Sequence, residues 1–208
     1  MSNPVDHLVF ATPNLQDGID KIETLLGVKP SSGGSHPGIG TANALLSLGQ
    51  QCYLEIIGPD PTQTDFQGTR PFSIDSLDHA QLVTWAAQRT DLEKFVLSAR
   101  SKGVNLSDVI PMSRANPDGD SLSWELAFPN HDERINIIPF FIDWGSSPHP
   151  SAQCIQSALL KTLVLEHPNP SEIAHKLEIL DVDVEVRYSN KPGMRALIGS
   201  PLGEVEIS

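Results

Sequence analysis

The sequence VDHLVFATPNLQDGIDKIETLLG, residues 5–27, sets a pattern that the rest of the chain follows. Its first part, Val5 to Phe10, is a short apolar run of the kind that forms a buried strand, and a Thr-Pro-Asn breaker follows it. From Leu15 to Leu26 the apolar residues recur at helical spacing, and Gly27 is a typical C-terminal stop. The stretch therefore predicts one strand that leads into one amphipathic helix.

Strands follow this helix, and the unit then recurs twice. In the first unit, Asn43 to Leu48 and Cys52 to Ile57 predict a strand pair, whereas the Gly-, Ser- and Pro-rich segment Pro30 to Gly40 predicts a loop. The second unit is predicted to contain a strand, a helix and three strands: Leu82 to Ala86, Asp91 to Ser101, Val109 to Arg114, Ser123 to Phe128 and Ile135 to Trp144. The third unit repeats that order: Leu159 to Glu166, Ser171 (as N-cap) to Leu180, Val184 to Tyr188, Met194 to Ile198 and Glu204 to Ile207.

The repeat distance of roughly 75 to 80 residues is longer than that of solenoid repeats and indicates a duplicated larger module. The predicted fold is therefore α+β, with repeated βαβββ modules whose curved mixed or antiparallel sheets form a cleft and whose helices lie outside. Superposing the first strands gives one shared position: His7, Thr84 and Thr162. Superposing the last strands gives another: Glu55, then Ile142 or Asp143, then Glu206.

Composition limits the classes of partner. The chain has 208 residues, 39% of them hydrophobic, and a formal net charge of -12. A surface that acidic repels phosphate backbones and anionic lipid, so we expect no nucleic-acid or membrane partner. The sequence shows no signal peptide and no apolar run long enough to span a bilayer, so we expect a cytoplasmic location. Gly38-Ile39-Gly40 is too short for a dinucleotide loop, and no nucleotide cofactor is expected.

His7 and Glu55 are the strongest candidates for chemistry. Alternation along the two strands that contain them turns both side chains away from the face that Leu8 and Leu54 bury under the helix. A carboxylate in an apolar strand needs a partner, because an unpaired buried charge costs several kcal/mol. A His and a carboxylate can begin a divalent metal site, with open positions for substrate oxygens. The alternative is a His–Glu hydrogen bond that only satisfies the core.

Five further residues have weaker signals. His36 lies in the Gly-rich segment with Asn43 shortly after it, and both could contact a substrate, although a bare surface loop is an equal alternative. Arg114 could clamp a substrate carboxylate or form a surface salt bridge. Trp85 could stack on a ligand or pack in the core. Asp143 could act as a catalytic acid at the cleft rim or cap the following turn.

Several motifs together resemble the vicinal oxygen chelate superfamily, and within it the glyoxalase-like domain proteins. The motifs that carry the resemblance are Asp6-His7-Leu8-Val9-Phe10, His36-Pro37-Gly38 with Gly40-Thr41 and Asn43-Ala44-Leu45, Tyr53-Leu54-Glu55-Ile56-Ile57-Gly58-Pro59, Pro111-Met112-Ser113-Arg114 with Pro117-Asp118-Gly119, Phe140-Phe141-Ile142-Asp143-Trp144, and His149-Pro150. The resemblance covers residues 5 to 150 well and the remainder at the level of module pattern.

The resemblance implies paired βαβββ modules around a cleft and one divalent metal ion in the members that use metal. Carried over to this sequence, it implies His7 and Glu55 as ligands. The sequence departs from the family pattern at Thr84 and Thr162, where a His or Gln is expected. A fourth ligand could come from one of two acids: Asp143 or Glu206.

The resemblance also implies a division of the chain and a function. Residues 1–150 would form a glyoxalase-like domain of two paired modules, and residues 151–208 a third module that packs on or pairs with the first. The expected function is binding of a small oxygenated metabolite in the cleft, with metal-assisted isomerase, lyase or ring-cleaving dioxygenase chemistry. Glu55 or Asp143 would then transfer protons. The alternative is a metal-free protein that binds or sequesters a small molecule, and a homodimer is compatible with either.

Overall fold

The computed structural model describes residues 5–115, 121–130 and 136–208, with the backbone alone for Arg114, Ala115 and Ser121. The first module contains β1 (Val5–Ala11), α1 (Leu15–Leu26), β2 (Ser31–His36), β3 (Thr41–Ser47) and β4 (Tyr53–Pro59). The second contains β5 (Gln81–Gln88), α2 (Leu92–Ser101), β6 (Ile110–Ala115), β7 (Ser121–Ala127) and β8 (Phe140–Asp143). The third contains β9 (Leu159–His167), α3 (Pro170–Ile179), β10 (Glu185–Tyr188), β11 (Gly193–Ser200) and β12 (Gly203–Ile207). Two short 3₁₀ helices are Pro71–Ser76 and Pro150–Gln153.

The opening strand and helix form as the sequence predicts. Asn14 caps α1, since its side chain accepts the backbone N–H groups of Gln16 and Asp17, and Gly27 ends the helix in the left-handed region at φ 67°. At α3 the cap differs from the prediction: Asn169, rather than Ser171, is the N-cap residue. None of the helices in the described residues has the length and apolarity needed to span a bilayer.

The first two modules share one sheet. Its strand order is β2-β3-β4-β1-β5-β8-β7-β6, and the sheet curls into a half-barrel. In each module the first strand pairs in parallel with the last, β1 with β4 and β5 with β8. The modules join where β1 and β5 pair antiparallel, with Leu8 opposite Trp85. This α+β architecture of repeated modules is the predicted fold class.

A β-bulge marks the duplication. Asp6 is an extra residue in β1 and Val83 an extra residue in β5, so the two bulges are related by the pseudo-twofold that passes through Leu8 and Trp85. The same relation makes Thr84 the equivalent of His7, as the sequence alignment predicts. It also makes Phe140 the equivalent of Glu55, because Glu55 lies opposite Val9 and Phe140 lies opposite Ala86. The predicted equivalence of Glu55 with Ile142 or Asp143 was therefore displaced by two or three residues.

The third module forms a separate sheet with the order β10-β9-β11-β12. Its first strand pairs in parallel with β10, the strand directly after the helix, and not with its last strand. Lys161 bulges from β9 immediately before Thr162, which repeats the bulge of the other two modules. Glu206 and Thr162 both belong to this second sheet and lie outside the pairing that brings the first two modules together.

The sheet of the first two modules has apolar residues on both faces. One face packs against the helices and the third module in a cluster that includes Leu8, Trp85, Phe141 and Leu165. The other face carries a second cluster that includes Tyr53 and Phe140. The concave second face holds the candidate site.

Candidate functional site

A bulge in β1 turns two neighbouring polar side chains toward the same region. Regular alternation would send Asp6 and His7 to opposite faces of the sheet. Because Asp6 is the extra residue of the bulge, its carboxylate instead reaches the ring of His7, with Oδ1 2.6 Å from Nδ1. Both side chains are almost fully buried. This contact fixes the imidazole beside the concave face.

Asp6 also binds the segment that follows the second module. Its Oδ2 accepts the indole N–H of Trp144 at 2.9 Å and lies 3.1 Å from Nε2 of His149. Burial alone would raise the pKa of Asp6, but the hydrogen bonds from His149 and His7 outweigh burial and hold the pKa below its ordinary value. A charged Asp6 therefore joins β1 to a segment more than a hundred residues away.

The partners of the two histidines determine their neutral tautomers. The backbone N–H of Ser151 donates to Nδ1 of His149, so the ring proton lies on Nε2, which donates to Asp6. In His7 the arrangement is reversed, because Nδ1 donates to Asp6. Nε2 of neutral His7 is then left as an acceptor, 4.0 Å from Oε2 of Glu55. The ring of His7 is held in place by stacking on Tyr53, with ring centroids 4.5 Å apart.

Glu55 is oriented by Asn43 on the neighbouring strand. The side-chain amide of Asn43 donates to Oε1 of Glu55 at 2.6 Å, and its carbonyl oxygen accepts the N–H of Gly34 at 3.0 Å. Gly33 makes this possible, because a Cβ there would lie 2.1 Å from Oδ1 of Asn43. The Gly-rich segment predicted as a loop is thus strand β2, whose glycine lets Asn43 approach.

These polar side chains line one wall of a cavity of about 280 Å³. His7, Asn43 and Glu55 converge there, with His36 and Thr41 farther along the same wall, where Nδ1 of His36 lies 2.9 Å from Oγ1 of Thr41. The other wall comes from the second module and from Trp144 directly after it, and it is aromatic and aliphatic: Met112, Leu122, Trp124, Leu126, Phe128, Phe140, Ile142 and Trp144. The cavity therefore has a polar side and an apolar side.

The 3₁₀ helix Pro71–Ser76 adds Phe72 to the cavity lining. Phe72 and Ser73 have φ of 58° and 53°, which L-residues adopt at a cost of roughly 1–2 kcal/mol each. Arg70 holds the start of this segment through the carbonyl of Gly40 and the carboxylate of Asp75.

Two predicted site residues, Trp85 and Asp143, have other surroundings. Trp85 is fully buried on the opposite face, where its indole N–H donates to the carbonyl of Ile137, and it does not line the cavity. Asp143 accepts the N–H of Gly145 and so caps a turn, on the side of β8 that faces away from Phe140 and Ile142. The structure supports the core and capping alternatives for these two residues. The side chain of Arg114 lies outside the described residues, as do Pro117-Asp118-Gly119.

The donor set does not fit the metal site that the fold family implies. His7 Nε2 and Glu55 Oε2 are near enough to share one ion with bonds of about 2 Å. Their twofold equivalents are Thr84 and Phe140, and a phenyl ring supplies no ligand atom. Within residues 5–115, 121–130 and 136–208, no group of three or more His, Cys, Asp or Glu side chains could hold a metal ion. We therefore derive no chemical step through a metal.

Sequence reasoning missed the roles of Asp6 and His149, although both stand in the motifs quoted above. An acid inside an apolar strand beside a histidine is a signal for Asp6, since a buried carboxylate must find donors. His149 gives no such signal, because its partner is distant in the chain. Cys52 is a buried free thiol whose pKa burial raises to about 12, so it serves as a small core residue.

A family model and one solved structure agree with this architecture. A family model described as a glyoxalase-like domain matches residues 5–180. Among solved structures, a hypothetical protein from Staphylococcus aureus aligns with a TM-score of 0.68 at 16% identity, over 93% of this chain and 88% of that chain. A variant of Streptomyces coelicolor methylmalonyl-CoA epimerase in complex with 2-nitronate-propionyl-CoA aligns with a TM-score of 0.49 at 14% identity, over 72% of this chain and 100% of that chain. Methylmalonyl-CoA epimerase from Mycobacterium tuberculosis aligns with a TM-score of 0.47 at 18% identity, over 73% of this chain and 95% of that chain. A search of curated proteins found no match.

Proposed function

This chain belongs to the glyoxalase-like domain family, within the vicinal oxygen chelate superfamily, and from that premise we propose that it binds a small organic molecule in the cavity between its two paired modules. The observation that carries the proposal is the division of the cavity into a polar wall and an apolar wall. A few convergent polar groups in a largely apolar concavity are the usual mark of a small-molecule site. Small oxygenated metabolites, the class expected from the sequence, have the required combination of polar and apolar parts.

The polar wall would orient the ligand and the apolar wall would hold its body. Glu55 and His7 are already fixed by Asn43 and Asp6, so little side-chain freedom is lost on binding. The body would lie against rings such as Trp124 and Phe128, where burial of apolar area supplies most of the affinity.

Binding is tested with a fragment library screened by NMR against the full chain. We expect fragments to shift the side-chain resonances of Trp124 and Trp144. The variant His7→Asn keeps a donor toward Asp6 and loses the acceptor that faces the cavity, so the affinity of the best fragment should fall at least tenfold. His167→Asn, in the third module, is the matched control and should leave the affinity unchanged. A library in which no fragment binds the cavity would overturn the proposal.

The Asp6–His7 pair favours proton transfer as a second function. A histidine oriented by a buried carboxylate, with a free acceptor nitrogen, has the arrangement of a general base. His7 Nε2 would accept a proton from the bound molecule, and the Asp6 carboxylate would stabilise the imidazolium. Glu55, 4.0 Å from that nitrogen, would be the second group that moves a proton. Isomerase or lyase chemistry needs these two roles and does not require the incomplete metal donor set.

Proton transfer is tested by incubating the fragments that bind in D₂O and following loss of carbon-bound protons by NMR. Exchange is expected in the wild-type protein and should be at least a hundredfold slower in His7→Asn at saturating ligand. Exchange that persists in this variant would assign the base elsewhere. Binding without exchange in the wild-type protein would reject proton transfer and support only the binding function.

A further inference from the structure

When His7 and His36 are uncharged, the charges that line the cavity are of one sign. Among the lining residues in the described parts of the chain, Glu55 is the one carboxylate and none is Lys or Arg. A second carboxylate, Asp6, lies buried behind His7, and its partners His7, His149 and Trp144 are neutral donors when both imidazoles are uncharged. The chain as a whole carries a formal charge of -12. The potential in this cavity therefore favours cations and opposes anions.

Two atoms on the polar wall can accept a hydrogen bond from a ligand. Oε1 of Glu55 already accepts the Asn43 amide, which leaves Oε2 directed toward His7. Nε2 of neutral His7 is an acceptor as well, because Nδ1 donates to Asp6. The two atoms lie 4.0 Å apart, and as two acceptors they cannot bond to each other. One donor group placed about 2.8 Å from each atom would satisfy both.

The remaining walls present aromatic rings. Trp124 and Trp144 have ring centroids 5.7 Å apart, and Phe128 and Phe140 have centroids 5.2 Å apart. All four rings line the cavity, as does Tyr53. The faces of such rings attract an ammonium or similar cation through their quadrupoles.

We propose that the ligand is an organic cation, a protonated amine on an aromatic or otherwise apolar body. The ammonium group has N–H donors for both acceptors, forms an ion pair with Glu55, and leaves the body to the aromatic wall. This inference rests on the proposed binding function and narrows it to one chemical class. It differs from a carboxylate ligand, which would find no Lys or Arg among the described lining residues.

The experiment compares ligands that share a body and differ in the terminal group. One set is phenethylamine, phenethyl alcohol and hydrocinnamate, and a second is tryptamine, tryptophol and indole-propionate. Affinities are measured by titration of the tryptophan fluorescence or by calorimetry with the full chain. In each set we expect the amine to bind at least tenfold more tightly than the alcohol, and the carboxylate most weakly. Raising the salt concentration should weaken the binding of the amine and leave the affinity for the alcohol unchanged.

Variants assign the preference to one side chain. Glu55→Gln keeps an acceptor for Asn43 and removes the charge, so the amine should bind no better than the alcohol. Glu125→Gln removes an equal charge from the exposed side of β7 and should keep the full preference. Equal affinities within a set, or tighter binding of the carboxylate, would overturn the inferred ligand class while the binding function stands. Tighter binding of the carboxylate would also indicate that a cationic side chain contributes to the site. Arg114 would then be the first residue to substitute. If no compound of either set binds, this ligand class is overturned, and the fragment library decides separately whether the cavity binds small molecules.

Discussion

Asp6 shows how one residue can connect distant parts of the chain. Its carboxylate accepts from three side chains, two of which follow the second module. Hydrogen bonds to a charged group are worth about 1.5–3 kcal/mol each, and a buried carboxylate without them would be strongly destabilising. Asp6 therefore orients His7 and also connects β1 to the segment around His149 by hydrogen bonds.

Replacing Asp6 tests this double role. The side chain of Asn has one acceptor oxygen, whereas Asp6 uses two. Its NH₂ group would therefore point at one of the N–H donors. We expect the free energy of unfolding at neutral pH to fall by about 3 kcal/mol, measured by urea denaturation. Asp143→Asn is the control, because an amide oxygen can still cap the turn at Gly145. That control should change the free energy by less than about 0.5 kcal/mol. An equal effect of both substitutions would mean that the contacts of Asp6 contribute little.

The same substitution has a defined pH dependence. The pKa of Asp6 in the folded chain lies below its ordinary value of 3.8. Its stabilisation is therefore complete above the unfolded pKa and is lost as the pH falls through the lower, folded pKa. The difference in unfolding free energy between wild type and Asp6→Asn should shrink below about pH 4, where the carboxylate of Asp6 becomes protonated. A difference that does not shrink below about pH 4 would contradict this assignment.

Sequence reasoning placed His7, Asn43 and Glu55 on the cavity wall and could not foresee how they are held. Alternation along β1 and β4 is a local property, so it predicts which side chains leave the helix-covered face. The Asp6–His7 contact requires a bulge, whose position follows from pairing with β5. The contact with His149 depends on the path of the chain after β8, for which residues 144–153 give no periodic signal.

At the scale of elements, β2 was the main error. Its sequence, SSGGSH, has the composition of a loop, and strand propensity argues against it. Pairing with β3 overrides propensity there, and Gly33 is the bulged residue between Ser32 and Gly34. A glycine at this point lets the side chain of Asn43 approach the backbone of β2, because Oδ1 of Asn43 occupies the space that a Cβ would fill.

Adding that side chain should disturb the site through Asn43. Gly33→Ala would place Cβ 2.1 Å from Oδ1 of Asn43, so the amide must move away from Glu55. We expect a loss of about 1–3 kcal/mol in unfolding free energy, as in other overpacked sites, and at least a tenfold loss in ligand affinity. Gly193→Ala is the matched control, a strand glycine whose added Cβ would meet its nearest atom at 3.4 Å, and it should be close to neutral.

A double substitution separates the clash from other effects. Asn43→Ala removes the atom that Cβ would meet, so adding Gly33→Ala to that background should cost much less stability than in the wild type. Additive costs in unfolding free energy would show that Gly33 matters for its backbone freedom and not for the approach of Asn43.

At the scale of the whole molecule, duplication and divergence are both visible in the bulges. A bulge precedes His7, Thr84 and Thr162 at equivalent positions, although the third module has a different strand order. The order of elements in the sequence was enough to predict three modules. It could not predict which modules pair, because strand order depends on side chains that meet across modules. Around the cavity, the first module carries His7 and Glu55 at the positions where the second carries Thr84 and Phe140.

The third module shares a core with the other two, so the division after residue 150 is not a division of the apolar core. Arg89, directly after β5, donates to the carbonyls of Leu180 and Asp181, and the N–H of Leu160 donates to the carbonyl of Leu48. The matched family region, residues 5–180, likewise crosses this point and ends after α3. Removing the third module would expose one face of the cluster that surrounds Leu8 and Trp85 to water.

A chain ended after residue 157 should therefore fail to form the native site. We expect the full chain to unfold in one cooperative transition, with coincident near- and far-ultraviolet circular dichroism. The shortened chain should lose its near-ultraviolet signal and aggregate, since each exposed core side chain forfeits about 1.5–3 kcal/mol of burial. Adding a peptide of residues 158–208 in trans should restore part of the signal if the defect is missing packing. A shortened chain that unfolds cooperatively and still binds the cavity ligand would instead show that the first two modules are an independent domain.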